Sequence, residues 1–227
     1  MPSPPRDAWI AAAAAAAASV GDLLLLVVAN VAIPGLAVGT PSGDRALVAG
    51  HYLGVLAIPL YALGYRYVGR RLGPPYERTV TALGACGAIV GGTIHGVTSV
   101  AIAAGGLGAT QFGSSLVPTS SPFAAYLLPL WALATAAVLG VSVAFTTGVA
   151  RGGGDYRRWM ALASPAALVV ATGACASLFT SLHALLVPAS PNLVHVVFFA
   201  LAASDVTQRR SAGTPDALRR VSSSPSR

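Results

Sequence analysis

Between Ala8 and Ala37 the chain runs for thirty residues with one ionisable side chain, Asp22. A bilayer core of ~30 Å takes about 20 helical residues to cross. A run this long and this apolar is a membrane-spanning helix, and further runs like it follow. Hydrophobic residues make up 55% of the chain and charged residues 9%. Soluble domains carry about a quarter charged residues, so this chain cannot cover itself with a charged surface. The expectation is an all-α fold: one polytopic membrane helix bundle over residues 1–206, followed by a disordered basic cytoplasmic tail over 207–227.

Six hydrophobic segments are expected, at Ala8–Ala37, Ala46–Val68, Thr79–Ala104, Phe123–Val149, Trp159–Leu186 and Leu193–Val206. The sixth is short and spans only with little tilt or with a frame extended into polar flanks. The arginines fall in alternate connections. Thirteen of fourteen lie before the first segment, around the turn between the second and third (Arg66 in the last turn of the second), between the fourth and fifth, or after the sixth; the other connections hold only Arg45. By the positive-inside rule both termini are cytoplasmic. This distribution also explains the net charge of +7 without a nucleic-acid partner; anionic lipid is the expected contact. The absence of lysine and the richness in Ala, Gly and Arg fit a GC-rich bacterial genome, and the localisation expected is the bacterial inner membrane. A cleaved signal peptide is the rival reading of Arg6 and the Ala11–Ala18 run. The apolar run continues through Leu23–Leu26 to Leu36, which favours a retained helix.

Pro34 and Gly35 help end the first helix, and Pro59 is expected to kink the second. Gly87 with Gly91, and Gly92 with Gly96, repeat at four residues in the third, where small residues admit a close neighbour. That helix is expected to be central. Cys86 and Cys175 fall at different depths, so they read as two small buried side chains rather than a disulfide. The uncharged loop 105–121 is external, a connector or a lid. The "RRVSSS" of the tail looks like a basophilic kinase site in a low-complexity setting.

Orientation permits a depth estimate. At ~1.5 Å per residue, Asp22 lies ~21 Å above the cytoplasmic boundary, His51 roughly 7 Å and His95 about 6 Å below the outer one. His183, His195, Asn30 and Asn192 also fall at the outer edge. All four histidines therefore share the outer half with Asp22. Sequence does not fix helix rotation, so convergence around the bundle axis stays open.

An unpaired ionised Asp at this depth costs several kcal/mol. It is protonated by desolvation, paired with a protonated His, or bound to metal. The plain structural alternative is an interhelical hydrogen bond that glues the bundle. Asp22 is the expected acid, with His95 and His51 as orienting group or base. His183 and His195, close to the boundary, read as interfacial polar trim. Asn30, Tyr52 and Trp131 are the expected substrate contacts. The outer-half aromatics either line a lipophilic pocket or form an interfacial belt. Four His and an Asp suit zinc, yet no short ligand spacing is present, and neither metal nor cofactor is expected.

The segment "HYLGVLAIPLYALGYRYV", with an Asp inside the first helix, resembles a family of uncharacterised bacterial multi-pass membrane proteins, a domain of unknown function. The resemblance implies the topology and no activity. There is no lysine for a retinal Schiff base, no ATP-binding motif, and no DDxxD-like pair. Two function classes remain, beside a structural or assembly protein without catalysis. One is an integral membrane enzyme on a lipophilic substrate, either isoprenoid cyclisation by a neutral acid or metal-dependent lipid hydrolysis. The other is a small-molecule or proton-coupled transporter, against which stand the lack of an inverted repeat and the near absence of polar groups in the inner half. Membrane lipids and a lipophilic small molecule are the expected partners.

Overall fold

The computed structural model describes residues 5–30, 37–104, 123–152, 154–179 and 189–205, with residues 26–30 and 124 described as backbone alone. Within them the chain forms α1 (Arg6–Asn30), α2 (Pro41–Ala57), a 3-10 turn at Ile58–Leu60, α3 (Tyr61–Leu72), α4 (Tyr76–Ala103), α5 (Ala124–Ala150), a 3-10 segment at Arg158–Ala163, α6 (Pro165–Leu178) and α7 (residues 189–205). No strand occurs among the described residues. Four stretches are long and apolar enough to cross a membrane: Arg6–Leu25, Pro41–Leu72, Tyr76–Ala103 and Ala125–Ala150. The turn at Pro34 and Gly35, the loop 105–121, His183 and the tail lie outside the described residues.

Local chemistry moves several expected boundaries. The second helix starts at Pro41, earlier than its hydropathy, because it is capped. The Thr40 hydroxyl accepts from Gly43 N at 3.1 Å and Asp44 Oδ1 accepts from Gly39 N at 2.8 Å, which satisfies amide donors that a bare helix start would leave open. Pro59 does interrupt this helix, as a 3-10 turn between α2 and α3. The fifth helix does not begin at Trp159. Arg158–Ala163 is a separate 3-10 segment, and α6 starts at Pro165, behind a Ser164 hydroxyl that accepts from Ala167 N at 3.4 Å. The last helix begins at residue 189, before the expected Leu193, so Asn192 is a helical residue.

α4 packs against α2, α3 and α5 and is central, as its glycines imply. Gly87 faces Ala137, while Gly91, Gly92 and Gly96 face Ile58, Pro59 and Val55. The polyalanine face of α1 (Ala8, Ala11, Ala15, Ala18) is fully buried in a cluster with Tyr61, Tyr65, Phe198 and Phe199. Small side chains there leave room for the large aromatics of α3 and α7. Cys86 and Cys175 are free thiols, but not both buried as expected: Cys86 is half-buried and Cys175 is exposed.

Three ion pairs tie one end of the bundle together. Asp7, opening α1, meets Arg66 midway along α3 at 3.0 Å. Arg71 at the end of α3 meets Asp155, which follows α5, at 2.6 Å. Arg157, ahead of α6, meets Asp205 at the end of α7 at 3.4 Å. Each pair joins the start and finish of a there-and-back excursion of the chain. The exposed Trp9 and Trp159 lie at this end, and the exposed Tyr52, Tyr126 and Phe179 lie toward the other. This outward placement is that of interfacial aromatics, although Tyr126 also lines a groove between α4 and α5.

Candidate functional site: a carboxyl–imidazole pair among close-packed helices

α1 and α2 cross at two glycines. A Cβ on Gly21 would lie 2.9 Å from Gly50 O, and one on Gly50 would lie 2.8 Å from Gly21 O. Only hydrogen fits at either position. Asp22 follows Gly21, so this contact sets its carboxyl beside α2 and α4. There Asp22 Oδ1 meets His95 Nδ1 at 3.1 Å. The other face of the imidazole is held by backbone: His95 Nε2 donates to Gly50 O at 3.0 Å. Gly54, one turn further along α2, lies against the ring. Asp22 Oδ2 accepts from Asn192 Nδ2 of α7 at 2.6 Å, and Asn192 Oδ1 accepts from the Tyr61 hydroxyl at 2.7 Å. Five helices thus meet in one hydrogen-bonded string. The His95 side chain is 4% exposed and that of Asp22 15%.

Counting protons narrows the chemistry. Gly50 O can only accept, so His95 Nε2 carries a hydrogen. One further proton must then lie between Asp22 Oδ1 and His95 Nδ1, on the carboxyl or on the ring. The pair holds one transferable proton in either form. The uncharged form, carboxylic acid beside neutral imidazole, avoids the desolvation of two buried charges, several kcal/mol for each ion.

The remaining expected site residues divide. His51 sits next to Gly50 but bonds to Ser99 Oγ, four residues beyond His95 on α4, not to Asp22. The Ser99 hydroxyl donates to Gly96 O at 2.8 Å, so His51 Nδ1 is the donor in their bond, and Nε2 is the unprotonated nitrogen of the neutral ring. Tyr52 is exposed and packs edge-on against His51, ring centroids 5.1 Å apart. Trp131 is half-buried against a second core cluster around Leu25, Ile94 and Leu127. The Asn30 side chain lies outside the described residues. An apolar groove of ≈ 440 Å³ between α4 and α5 is lined by Gly96, Val97, Val100, Phe123 and Tyr126; none of the acid–base side chains lines it.

His195 is not interfacial trim. It stacks on Tyr61, with centroids 4.8 Å apart. Its Nδ1 donates to Pro191 O at 2.6 Å and its Nε2 accepts from the Tyr65 hydroxyl at 2.7 Å. Tyr61 and Tyr65 are the members that sequence reasoning missed. Tyrosine is grouped with the hydrophobic residues when apolar segments are delimited, which hides its hydroxyl; their spacing of four residues is the available signal. Among the described residues no three His, Cys, Asp or Glu side chains are grouped to hold a metal.

No curated protein and no solved structure matches the chain. Residues 5–207 match a family described as a family of unknown function, DUF6796. That match leaves out only the first four residues and the polar tail, and the chain belongs to this family of unknown function.

Proposed function

We propose that the protein is a six-pass membrane enzyme whose Asp22–His95 pair exchanges a proton with a lipophilic substrate, Asp22 being the acid and His95 the group that orients it. The observation that carries this reading is the 3.1 Å contact between Asp22 Oδ1 and His95 Nδ1, with His95 Nε2 fixed from behind by Gly50 O at 3.0 Å. A positioned acid in apolar surroundings contributes to proton transfer without solvent to compete for it. His51 of α2, bonded through Nδ1 to Ser99 one turn beyond His95 on α4, supplies a base at Nε2. Substrates that fit are isoprenoid or other lipid molecules whose reaction starts by protonation. The test compares lipid extracts, by mass spectrometry, of cells expressing the wild type and Asp22→Asn. The expected result is a lipid species that turns over only with the wild type. Identical extracts at equal protein levels would remove the enzymatic reading.

A proton-coupled carrier is the second reading. Its support is the polar continuation from Asp22 through Asn192 and Tyr61 to the Tyr65–His195 pair, which hydropathy hides. Asp22→Asn would then abolish ligand-driven proton uptake into vesicles while leaving lipid extracts unchanged.

For the topology, support comes from the three ion pairs. They close the excursions through α1–α3, α4–α5 and α6–α7 at the arginine-bearing end. Three excursions make six passes, with both chain termini on the cytoplasmic side, and leave Asp22 about 24 Å along α1 from Arg6, in the outer half. Reporter fusions after Arg71 and after Arg151 are expected to read cytoplasmic, and one near Gly113 external. An external signal after Arg151 would break the topology.

A further inference from the structure

At the arginine-bearing end, positive charge exceeds what the protein itself neutralises. Arg66, Arg71 and Arg157 are matched by Asp7, Asp155 and Asp205. Arg70, Arg78 and Arg158 are exposed and have no ion-pair or hydrogen-bond partner among the described residues. Arg151 reaches only a neutral group, the Tyr76 hydroxyl, at 3.4 Å. These four arginines lie at the same end of the bundle. Asp155 N donates to Arg71 O at 3.0 Å, so the segment after α5 lies across the end of α3, and Arg151 lies over the first turn of α4. Arg70 closes α3, Arg78 opens α4, and Arg158 starts the segment after Asp155.

The same segment is laid out for an interface. In Arg158–Ala163, Met160 and Ala163 are buried, while Trp159 and Leu162 point outward at 47% and 80% exposure. A cation followed by outward apolar side chains fits the boundary between headgroups and acyl chains, where Trp prefers to sit and arginine reaches phosphate. A planar guanidinium binds phosphate in bidentate fashion.

We propose that Arg70, Arg78, Arg151 and Arg158 form a binding surface for the headgroups of anionic phospholipids, with Trp159 and Leu162 inserted beside it. The inference takes from the six-pass reading only that this end meets a membrane surface. The reporter fusions test that separately, so the two failures are distinguishable.

The experiment reconstitutes the full chain in vesicles of phosphatidylcholine mixed with phosphatidylglycerol, and identifies the lipids retained on the protein by native mass spectrometry after extraction. Phosphatidylglycerol is expected to be enriched over its bulk share, roughly fivefold for each arginine engaged. Changing all four arginines to Gln should return retention to the bulk ratio, and changing them to Lys should keep most of it. Retention at the bulk ratio in the wild type, or enrichment unchanged in the Gln variant, overturns the proposal. So does complete displacement of the lipid by inorganic phosphate at matched concentration, which would make the patch a site for free phosphate. Retention at the bulk ratio in the wild type overturns the proposal without any variant; should the fourfold Gln protein fail to fold, the four single Gln variants replace it, each expected to lower the enrichment, and unchanged enrichment in all four overturns the proposal.

Discussion

Gly54→Ala is expected to unseat His95 and to destabilise the bundle by roughly 2–4 kcal/mol, the sum of overpacking and of a weakened His95–Gly50 bond. A Cβ at residue 54 would overlap the imidazole at Nε2, Cδ2 and Cε1. The ring has nowhere to retreat, because Asp22 and Gly50 hold its two nitrogens. The effect runs against helix propensity, which favours Ala over Gly by about 1 kcal/mol in a helix interior. Gly173→Ala is the matched control. Gly173 lies inside α6 and a Cβ there meets nothing within 4 Å, so that change should be neutral or stabilising. The decisive measurement is a double-mutant cycle of thermal stability in detergent. With His95→Ala the obstruction is gone, and Gly54→Ala should then cost little, giving a coupling of at least ~1 kcal/mol. Additive losses would mean that the ring does not lie under Gly54, and the site as drawn would be wrong.

The level of this site along the bundle was legible in the sequence; its partners were not. Helical rise is fixed, so counting residues from the arginine-bearing end brought Asp22, His95 and Asn192 to similar depths, and these three side chains are bonded to one another. Rotation about each helix axis leaves no such count. It is set by side-chain packing, here by the Gly21–Gly50 contact and by the Tyr61 and Tyr65 rings. The "GHYLG" of α2 carries two glycines four residues apart, the same signal that was read in α4. Its contacts are the closer ones, with Gly50 on α1 and Gly54 on His95. Gly50 O leaves no trace in sequence, since every residue has a carbonyl. His195 was misjudged because its helix was started at Leu193; with α7 beginning at residue 189 it stands in the second turn, facing α3. The segment Trp159–Ala163 was read as helix because it is apolar, although Pro165 favours a helix start and disfavours helical backbone at the residue before it.

Substituting Asp22 should separate the two proton arrangements by size of effect. In the neutral arrangement the carboxyl donates from Oδ1 to His95 Nδ1 and accepts at Oδ2 from Asn192. An asparagine there reproduces both bonds, with its amide N–H directed at His95 and its oxygen at Asn192. Asp22→Asn is therefore expected to cost less than about 0.5 kcal/mol of stability, as for a change that leaves each group partnered. In the ionic arrangement the same substitution strips a buried imidazolium of its counter-ion, and breaking a buried pair costs about 3–5 kcal/mol. Asp22→Leu is destabilising in either case, because Asn192 Nδ2 and His95 Nδ1 are both left without their bond. Each interhelical bond lost in a membrane bundle costs about 0.6 kcal/mol on average and up to ~1.7, so a loss of roughly 1–3 kcal/mol is expected for the neutral pair, and about 3–5 kcal/mol for the ionic pair, whose counter-ion Leu removes as well. Unfolding measured for the three proteins in one detergent should give wild type and Asp22→Asn nearly equal, with Asp22→Leu well below. If Asp22→Asn falls as far as Asp22→Leu, the neutral pair is refuted and the proton belongs on His95. If all three unfold alike, Asp22 contributes no bond to the bundle, and the string from Gly50 O to Tyr61 does not exist.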